Sequence, residues 1–138
     1  MSEGEDDFEI LQPEGWAKPI GYSNGIAATG RLVFVAGQIG WNPATGEFET
    51  DDFAAQTAQA LRNVAAVLWE AGAEPRHVVR MTWYITDKAA YLAGRKEIGQ
   101  AWKAVMGRHF PAMAVVVVSA LIEDRAKVEI EATAVVAE

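Results

Sequence analysis

The clearest hydrophobic pattern in the chain is helical and lies near its middle. Between residues 51 and 71 apolar side chains recur every three or four positions, which predicts an amphipathic helix with one buried stripe: Phe53, Ala60, Leu61, Val64, Val67, Leu68 and Ala71. Acidic residues at its start supply an N-cap, and Gly72 supplies a terminator. A second helix is predicted over residues 88–106, weakened by Gly94 and Gly99 because glycine is a poor helix former.

Strand patterns surround these two helices. Residues 26–28 and 32–36 are predicted as two short strands that form a hairpin around Gly30. The remaining strands are predicted at residues 78–86, 112–118 and 128–136. The order β-β-α-β-α-β-β predicts an α+β domain in which one sheet carries both helices on one face.

The last two strands differ in their patterns. Residues 112–118 read AMAVVVV and do not alternate, so both faces of this strand are predicted to be buried. Because the helices cover only one face, a second copy of the chain is the simplest cover for the other, with a long loop as the alternative. Residues 128–134 do alternate and place Glu129, Glu131 and Thr133 on one face, as in a half-exposed strand. Covering that face would raise the pKa of its carboxyl groups.

Composition narrows the classes of function. The 138 residues predict one domain, 1–138, with a flexible acidic start over residues 1–12. The absence of cysteine excludes disulfides, thiolate zinc sites and cysteine nucleophiles. Twelve Lys and Arg against 19 Asp and Glu give a net charge of −7, and the basic residues are dispersed, so no nucleic-acid partner is expected. No apolar run approaches the ~20 residues of a membrane span, which predicts a cytoplasmic protein without a membrane partner.

Familiar catalytic constellations are missing from the sequence. The glycine-containing segments 21–25 and 37–40 lack the context and the Lys-Ser/Thr ending of a phosphate-binding loop. His77 and His109 are the only histidines and have no neighbouring ligands, so neither a metal nor a cofactor is expected. His109 is a candidate for a pocket rim, and Trp41, in a loop, is a candidate to cap a pocket or enter an interface.

Five short motifs occur in series along most of the chain, from about residue 19 to residue 136: GYSNG, VFVAGQI, NPATGE, FPA and VEIEA. In order and spacing they resemble the Rid family of reactive intermediate/imine deaminases, also called RidA/YjgF and labelled endoribonuclease L-PSP. The resemblance implies a chorismate-mutase-like fold assembled as a homotrimer with clefts between subunits. It also implies hydrolysis of imines and enamines, such as 2-aminoacrylate, to keto acids and ammonia.

The resemblance also implies site residues. The family's glutamate in the last strand, which positions or activates water, falls on Glu129. Its cleft-lining tyrosine and glycine fall on Tyr22 and Gly37, with Ala36 in place of the serine that usually precedes the glycine.

Two further positions depart from the family pattern. The arginine that binds the substrate carboxylate falls on Met113, and the cysteine often found two residues later falls on Val115. Methionine has no donors for a carboxylate, so we expect poor deamination of 2-aminoacrylate and an apolar wall that suits a larger, less charged ligand. Two hypotheses remain: a homotrimer that binds and hydrolyses a small hydrophobic imine or enamine through Glu129, and a non-catalytic trimer that only binds a small ligand.

Overall fold

The secondary structure is defined here for residues 8–138, the part of the chain described by this computed structural model. Within those residues the segments rich in β-forming side chains give the strands, and the amphipathic segments give the helices. In chain order the elements are β1 Phe8–Leu11, β2 Gly25–Ala28, β3 Arg31–Ile39, α1 Phe53–Glu70, β4 Val78–Ile85, α2 Lys88–Ala93, α3 Arg95–Met106, β5 Ala112–Val117 and β6 Val128–Val136.

A four-stranded sheet with the order β3-β6-β4-β5 forms the base of the domain. β6 is antiparallel to both β3 and β4, whereas β4 and β5 run parallel. Helices α1 and α3 contact each other and share one hydrophobic core with one face of the sheet, as in the cluster of Leu61, Val64, Trp83, Trp102 and Ile130. The predicted α+β arrangement with the helices on one face is thereby confirmed, and β3 and β5 are the edge strands.

Buried polar side chains fix the start of α1 against the sheet. Asp52 caps the helix by accepting a hydrogen bond from the backbone N–H of Ala55 at 2.9 Å. Gln56, fully buried, donates to the Thr50 carbonyl and accepts from the Lys127 N–H at the start of β6. A buried amide is unfavourable unless it is hydrogen-bonded. These contacts therefore fix the start of α1 against the residues that lead into β6.

Gly94 divides the second predicted helix into two. The backbone N–H of Gly94 bonds to the Ala90 carbonyl and closes α2, and α3 begins at the next residue. The prediction of one continuous helix was therefore wrong at this position, where the weak helix preference of glycine lets the axis break.

The predicted hairpin between the first two strands is also wrong. β2 pairs with β1 in a separate two-stranded sheet, while β3 pairs with β6. Gly30 does have the positive φ expected of it, 152°, and a side chain there would also clash with the carbonyl oxygen of Val136 in the neighbouring strand. Residues 8–11 form β1, and residues 1–7 of the predicted flexible start lie outside the described part.

Candidate functional site

The face of the main sheet that points away from the helices is here called the open face. Polar side chains from the two central strands occupy its middle: Arg80, Thr82, Tyr84, Glu129, Glu131 and Thr133. Apolar side chains from the edge strands flank them, and among these Leu32 and Phe34 are 56% and 71% exposed. Large apolar groups exposed beside a polar strip are typical of a contact surface.

Glu129 lies against the backbone of β3. The register between β3 and β6 shifts between Val35 and Gln38, and Gly37 lies in this irregular stretch. A Cβ atom placed on Gly37 would come within 2.5 Å of Oε2 of Glu129, so only glycine leaves room for the carboxylate in this position. The structure thus brings together two of the residues predicted for the site.

The two glutamates of β6 have different surroundings. The hydroxyl of Tyr84 donates a 2.7 Å hydrogen bond to Oε1 of Glu131. This bond, followed by desolvation and by the charges of Glu131 and Glu129, raises the pKa of Tyr84, and Arg80 acts in the opposite direction. Glu129, in contrast, is half-buried and makes no side-chain hydrogen bond within residues 8–138. Of the two carboxylates, Glu129 is therefore the one whose oxygens have no hydrogen-bond partner among the described residues.

Arg80 is the cation of the open face. It lines a shallow depression of about 410 Å³ together with Phe34, Thr82 and Glu131. Within the described residues Arg80 makes no ion pair, although it shares this depression with a carboxylate. Sequence reasoning missed Arg80 and Tyr84. The alternation of polar and apolar residues along residues 80–83 is the sequence signal that could have placed Arg80 on the polar face of β4, with Tyr84 next on the same side.

Met113 and Val115 lie on the other face of the sheet. Met113 pairs with Met81 and Val115 with Trp83, and both side chains pack against the hydrophobic core beneath the helices. Because β4 separates β5 from β6 and side chains alternate along each strand, these two residues cannot share a wall with Glu129 of the same chain. Within one copy, therefore, Met113 and Val115 lie apart from Glu129.

Tyr22 lies at the start of β5. The neighbouring Ser23 bonds through its backbone N–H to the Pro111 carbonyl at 3.0 Å and through its hydroxyl to the Phe110 carbonyl at 2.6 Å. These bonds hold Tyr22, 41% exposed, beside the strand that carries Met113. The predicted site residues thus form two groups at opposite edges of the sheet: Glu129 with Gly37 beside β3, and Tyr22 with Met113 and Val115 at β5.

The remaining candidates have defined positions. His109 contacts the Val78 carbonyl and the ring of Phe8, and it borders a surface cavity that Tyr22 also lines. Trp41 is half-buried and packs on Phe48 of its own chain. Within residues 8–138 no cluster of three or more His, Asp or Glu is placed to hold a metal ion, and no helix is long and apolar enough to cross a membrane.

Comparison with known proteins identifies the class to which this fold belongs. Residues 17–136 match the family model described as endoribonuclease L-PSP. A Rid-family protein from Yersinia pestis has a solved structure that superimposes with a TM-score of 0.84 at 34% identity, covering 95% of this chain and 100% of that one. The domain therefore has the Rid fold, in agreement with the fold predicted from the motifs.

Curated relatives agree with the structural match. A RutC family protein from Pyrococcus abyssi is 36% identical over 126 residues, covering 91% of this chain and 95% of the relative. The human 2-iminobutanoate/2-iminopropanoate deaminase is 30% identical over 105 residues, covering 76% of this chain and 73% of the relative. The chain belongs to the Rid family, as its motifs predicted.

Proposed function

We propose that this chain binds a small, largely apolar imine or enamine in a cleft between two copies and hydrolyses it with water activated by Glu129. The observation that carries the proposal is the separation of the predicted site residues into two groups at opposite edges of one sheet. Each copy then supplies half of a cleft: Glu129 and Gly37 from one chain, and Tyr22, Met113 and Val115 from its neighbour. The deaminase activity named for the human relative supports the reaction class.

The assembly that fits this arrangement is a homotrimer. A contact that joins one edge of the sheet to the opposite edge of the next copy is head-to-tail, and such contacts generate closed rings when the rotation closes. Closure would also cover the exposed apolar groups of the open face, of which Phe34 is the largest. The family resemblance implies that the ring has three members.

The chemistry proposed for Glu129 follows from its surroundings. A neighbouring copy over the half-buried carboxylate would exclude bulk water and leave room for a single water molecule within hydrogen-bond reach of Glu129, as general-base catalysis requires. The carboxylate would take a proton from water as the water oxygen bonds to the C=N carbon, and would give that proton to nitrogen to leave a carbinolamine. It would then take the hydroxyl proton as the C=O bond forms and give it to nitrogen as the C–N bond breaks, releasing ammonia and a carbonyl product.

Met113 limits the substrate class. Arginine binds a carboxylate through a fixed fork of donors, and methionine offers none, so simple 2-imino acids would be held poorly. For 2-aminoacrylate we therefore propose slow turnover. The same substitution favours a second candidate function, a trimer that binds a small apolar ligand without converting it.

Substitution of the two β6 glutamates tests the proposal. Imines without a carboxylate are generated in place by an amine oxidase from primary amines of increasing side-chain size, and carbonyl product is measured with and without the protein. Glu129→Gln keeps shape but cannot accept a proton, so turnover should fall by about 10²–10⁴-fold with assembly intact. Glu131→Gln, the matched control, should change turnover far less. Equal turnover by Glu129→Gln and the parent would contradict a catalytic Glu129 and favour the binding-only trimer.

A further inference from the structure

Tyr84 lies directly opposite Glu129 on the open face. The register between β4 and β6 pairs the two residues, and side chains paired in this way have Cβ atoms about 4.5–5.5 Å apart. The hydroxyl of Tyr84 nevertheless reaches Oε1 of Glu131, two positions further along β6, at 2.7 Å. The ring therefore extends diagonally along β6 from the level of Glu129 to the level of Glu131, and it occupies the space on the β4 side of Glu129.

The side chain of Glu129 lies on the other side, against β3. A Cβ atom placed on Gly37 would come within 2.5 Å of Oε2, 2.7 Å of Cδ and 2.9 Å of Cγ of Glu129, so the end of this side chain lies over the glycine. In the sheet, β6 lies between β3 and β4. Glu129 thus has an open backbone position on one neighbouring strand and an aromatic ring on the other, and it is half-buried whereas Glu131 is exposed.

The hydrogen bond to Glu131 holds the ring of Tyr84 in this orientation. Its acceptor is a carboxylate, and a hydrogen bond to an ionised acceptor is stronger than one between neutral groups. The pKa of Tyr84 is raised first by this bond, then by desolvation and by the charges of Glu131 and Glu129, so the phenol lies near both carboxylates. Within residues 8–138 the Tyr84 hydroxyl makes no other hydrogen bond, and loss of the bond would therefore free that end of the ring.

We propose that Tyr84 is a positioning residue for the hydrolysis, and that its hydrogen bond to Glu131 holds the ring where it directs the Glu129 carboxylate toward Gly37. This inference rests on the proposed function, because it takes Glu129 as the general base. The edge strand β3 is where a neighbouring copy would complete the cleft. A carboxylate that moved toward β4 would leave that edge, and a misplacement of about 1 Å can reduce turnover by about 10²-fold. Glu131 then supplies an acceptor oxygen and not a base.

Breaking the hydrogen bond from either end tests the proposal. Tyr84→Phe keeps the ring but removes the donor, and Glu131→Ala removes the acceptor. Each should lower kcat for an apolar imine about tenfold and change KM by less than about twofold, because the base is misplaced while the substrate wall is untouched. The double variant should lose no more than either single variant, since both substitutions break one bond. Losses that multiply in the double variant would overturn the proposal.

Two further variants separate this role from a merely structural one. Glu131→Gln keeps an acceptor oxygen for the Tyr84 hydroxyl, so it should retain most of the turnover that Glu131→Ala loses. Thr86→Val is the matched control, since it removes a hydroxyl two residues from Tyr84 that makes no hydrogen bond within residues 8–138, and kcat should not change. Equal losses in Glu131→Gln and Glu131→Ala, or in Thr86→Val and Tyr84→Phe, would overturn the proposal. Loss of assembly in Tyr84→Phe, measured by sedimentation equilibrium, would also overturn it by assigning Tyr84 to the contact between copies.

The position of Glu129 can be measured by nuclear magnetic resonance without a substrate. In the parent, the γ-protons of Glu129 and the α-protons of Gly37 should give a nuclear Overhauser effect, because Cγ of Glu129 lies close to this glycine. The signal should be largely lost in Tyr84→Phe and retained in Glu131→Gln. A parent that turns over no imine but shows this loss would reject the hydrolysis and support the directing role of Tyr84. Imine turnover by the parent with an unchanged signal in Tyr84→Phe would support the hydrolysis and overturn that role.

Discussion

The two faces of the main sheet can be compared at neighbouring residues of one strand. On β4, Trp83 points to the helices and is 1% exposed, whereas Tyr84 points to the open face and hydrogen-bonds to Glu131. On β6, Ile130 is fully buried between Glu129 and Glu131. Core and candidate chemistry are thus interleaved residue by residue. The helix side supplies stability within one chain, and the open face carries carboxylates beside apolar groups that a second copy can cover.

Trp83→Ala should have the largest effect on the free energy of unfolding. Removing a fully buried indole costs about 3–5 kcal/mol, because apolar contacts are lost and a cavity remains. Denaturant unfolding followed by circular dichroism would measure the change. Trp69→Ala is the control, since Trp69 is 72% exposed, and its unfolding free energy should change by no more than about 0.5 kcal/mol. Similar losses for both variants would contradict the assignment of the helix side as the core.

Gly37→Ala should affect function without unfolding the chain. The added Cβ would meet the carboxylate of Glu129, the far end of a flexible side chain, which can move aside. We therefore expect a melting temperature close to that of the parent and a loss of imine turnover approaching that of Glu129→Gln. Gly99→Ala, where a Cβ meets nothing within 4 Å, is the control. Full turnover by Gly37→Ala would show that the position of the Glu129 carboxylate is unimportant.

Phe34→Asp should break the assembly. Phe34 is 71% exposed on the open face, so the substitution costs little within one chain but places a charge in a contact between copies. We expect the dissociation constant of the assembly to rise at least about tenfold, since an unpaired charge in an interface costs more than the ~1.4 kcal/mol that corresponds to that factor. Sedimentation equilibrium would measure it. Ile122→Asp, at an exposed loop position, is the control, and equal weakening by both would argue against the open face as the contact.

The smallest expected effect is a change in the titration of Tyr84, which tests the hydrogen bond between Tyr84 and Glu131 on the open face. Its pKa lies above the usual value of 10.0 because the hydroxyl donates to Glu131. In a pH titration followed by ultraviolet absorbance, this phenol should therefore ionise at a higher pH than an ordinary tyrosine. The stabilisation from this hydrogen bond is present below the unfolded-state pKa and is lost as the pH rises through the raised pKa. Glu131→Gln should return the titration toward its ordinary range. An unchanged titration would contradict the hydrogen bond.

Local periodicity predicted much of the fold. The helical spacing of Leu61, Val64 and Leu68 located α1, and the alternation around Ile130 placed Glu129 and Glu131 on one face. Local periodicity could not predict how the strands pair, because whether β2 pairs with β1 or with β3 depends on contacts between distant residues. The sequence indicated a low helix propensity at Gly94. It did not predict that the helix would break there, since helix breaks depend on packing as well as on propensity.

The sequence predicts candidate site residues but not their arrangement. Motif resemblance identified Glu129, Gly37 and Met113, yet no local pattern states that β4 lies between β5 and β6. The register of β5 with β4 and of β4 with β6 puts Met113 and Glu129 on opposite faces, so the proposed cleft that holds both residues requires two copies of the chain.

Subunit complementation tests most directly whether the two halves of the site come from different chains. Met113→Glu should abolish turnover by placing a charge in the apolar wall, and Glu129→Gln should abolish it by removing the base. Co-expressed with different tags and purified as mixed assemblies, the two inactive chains would form one kind of interface with an intact Met113 and an intact Glu129. We predict that the mixed assemblies recover a substantial fraction of parental turnover. Mixed assemblies as inactive as either variant alone would contradict a site shared between copies.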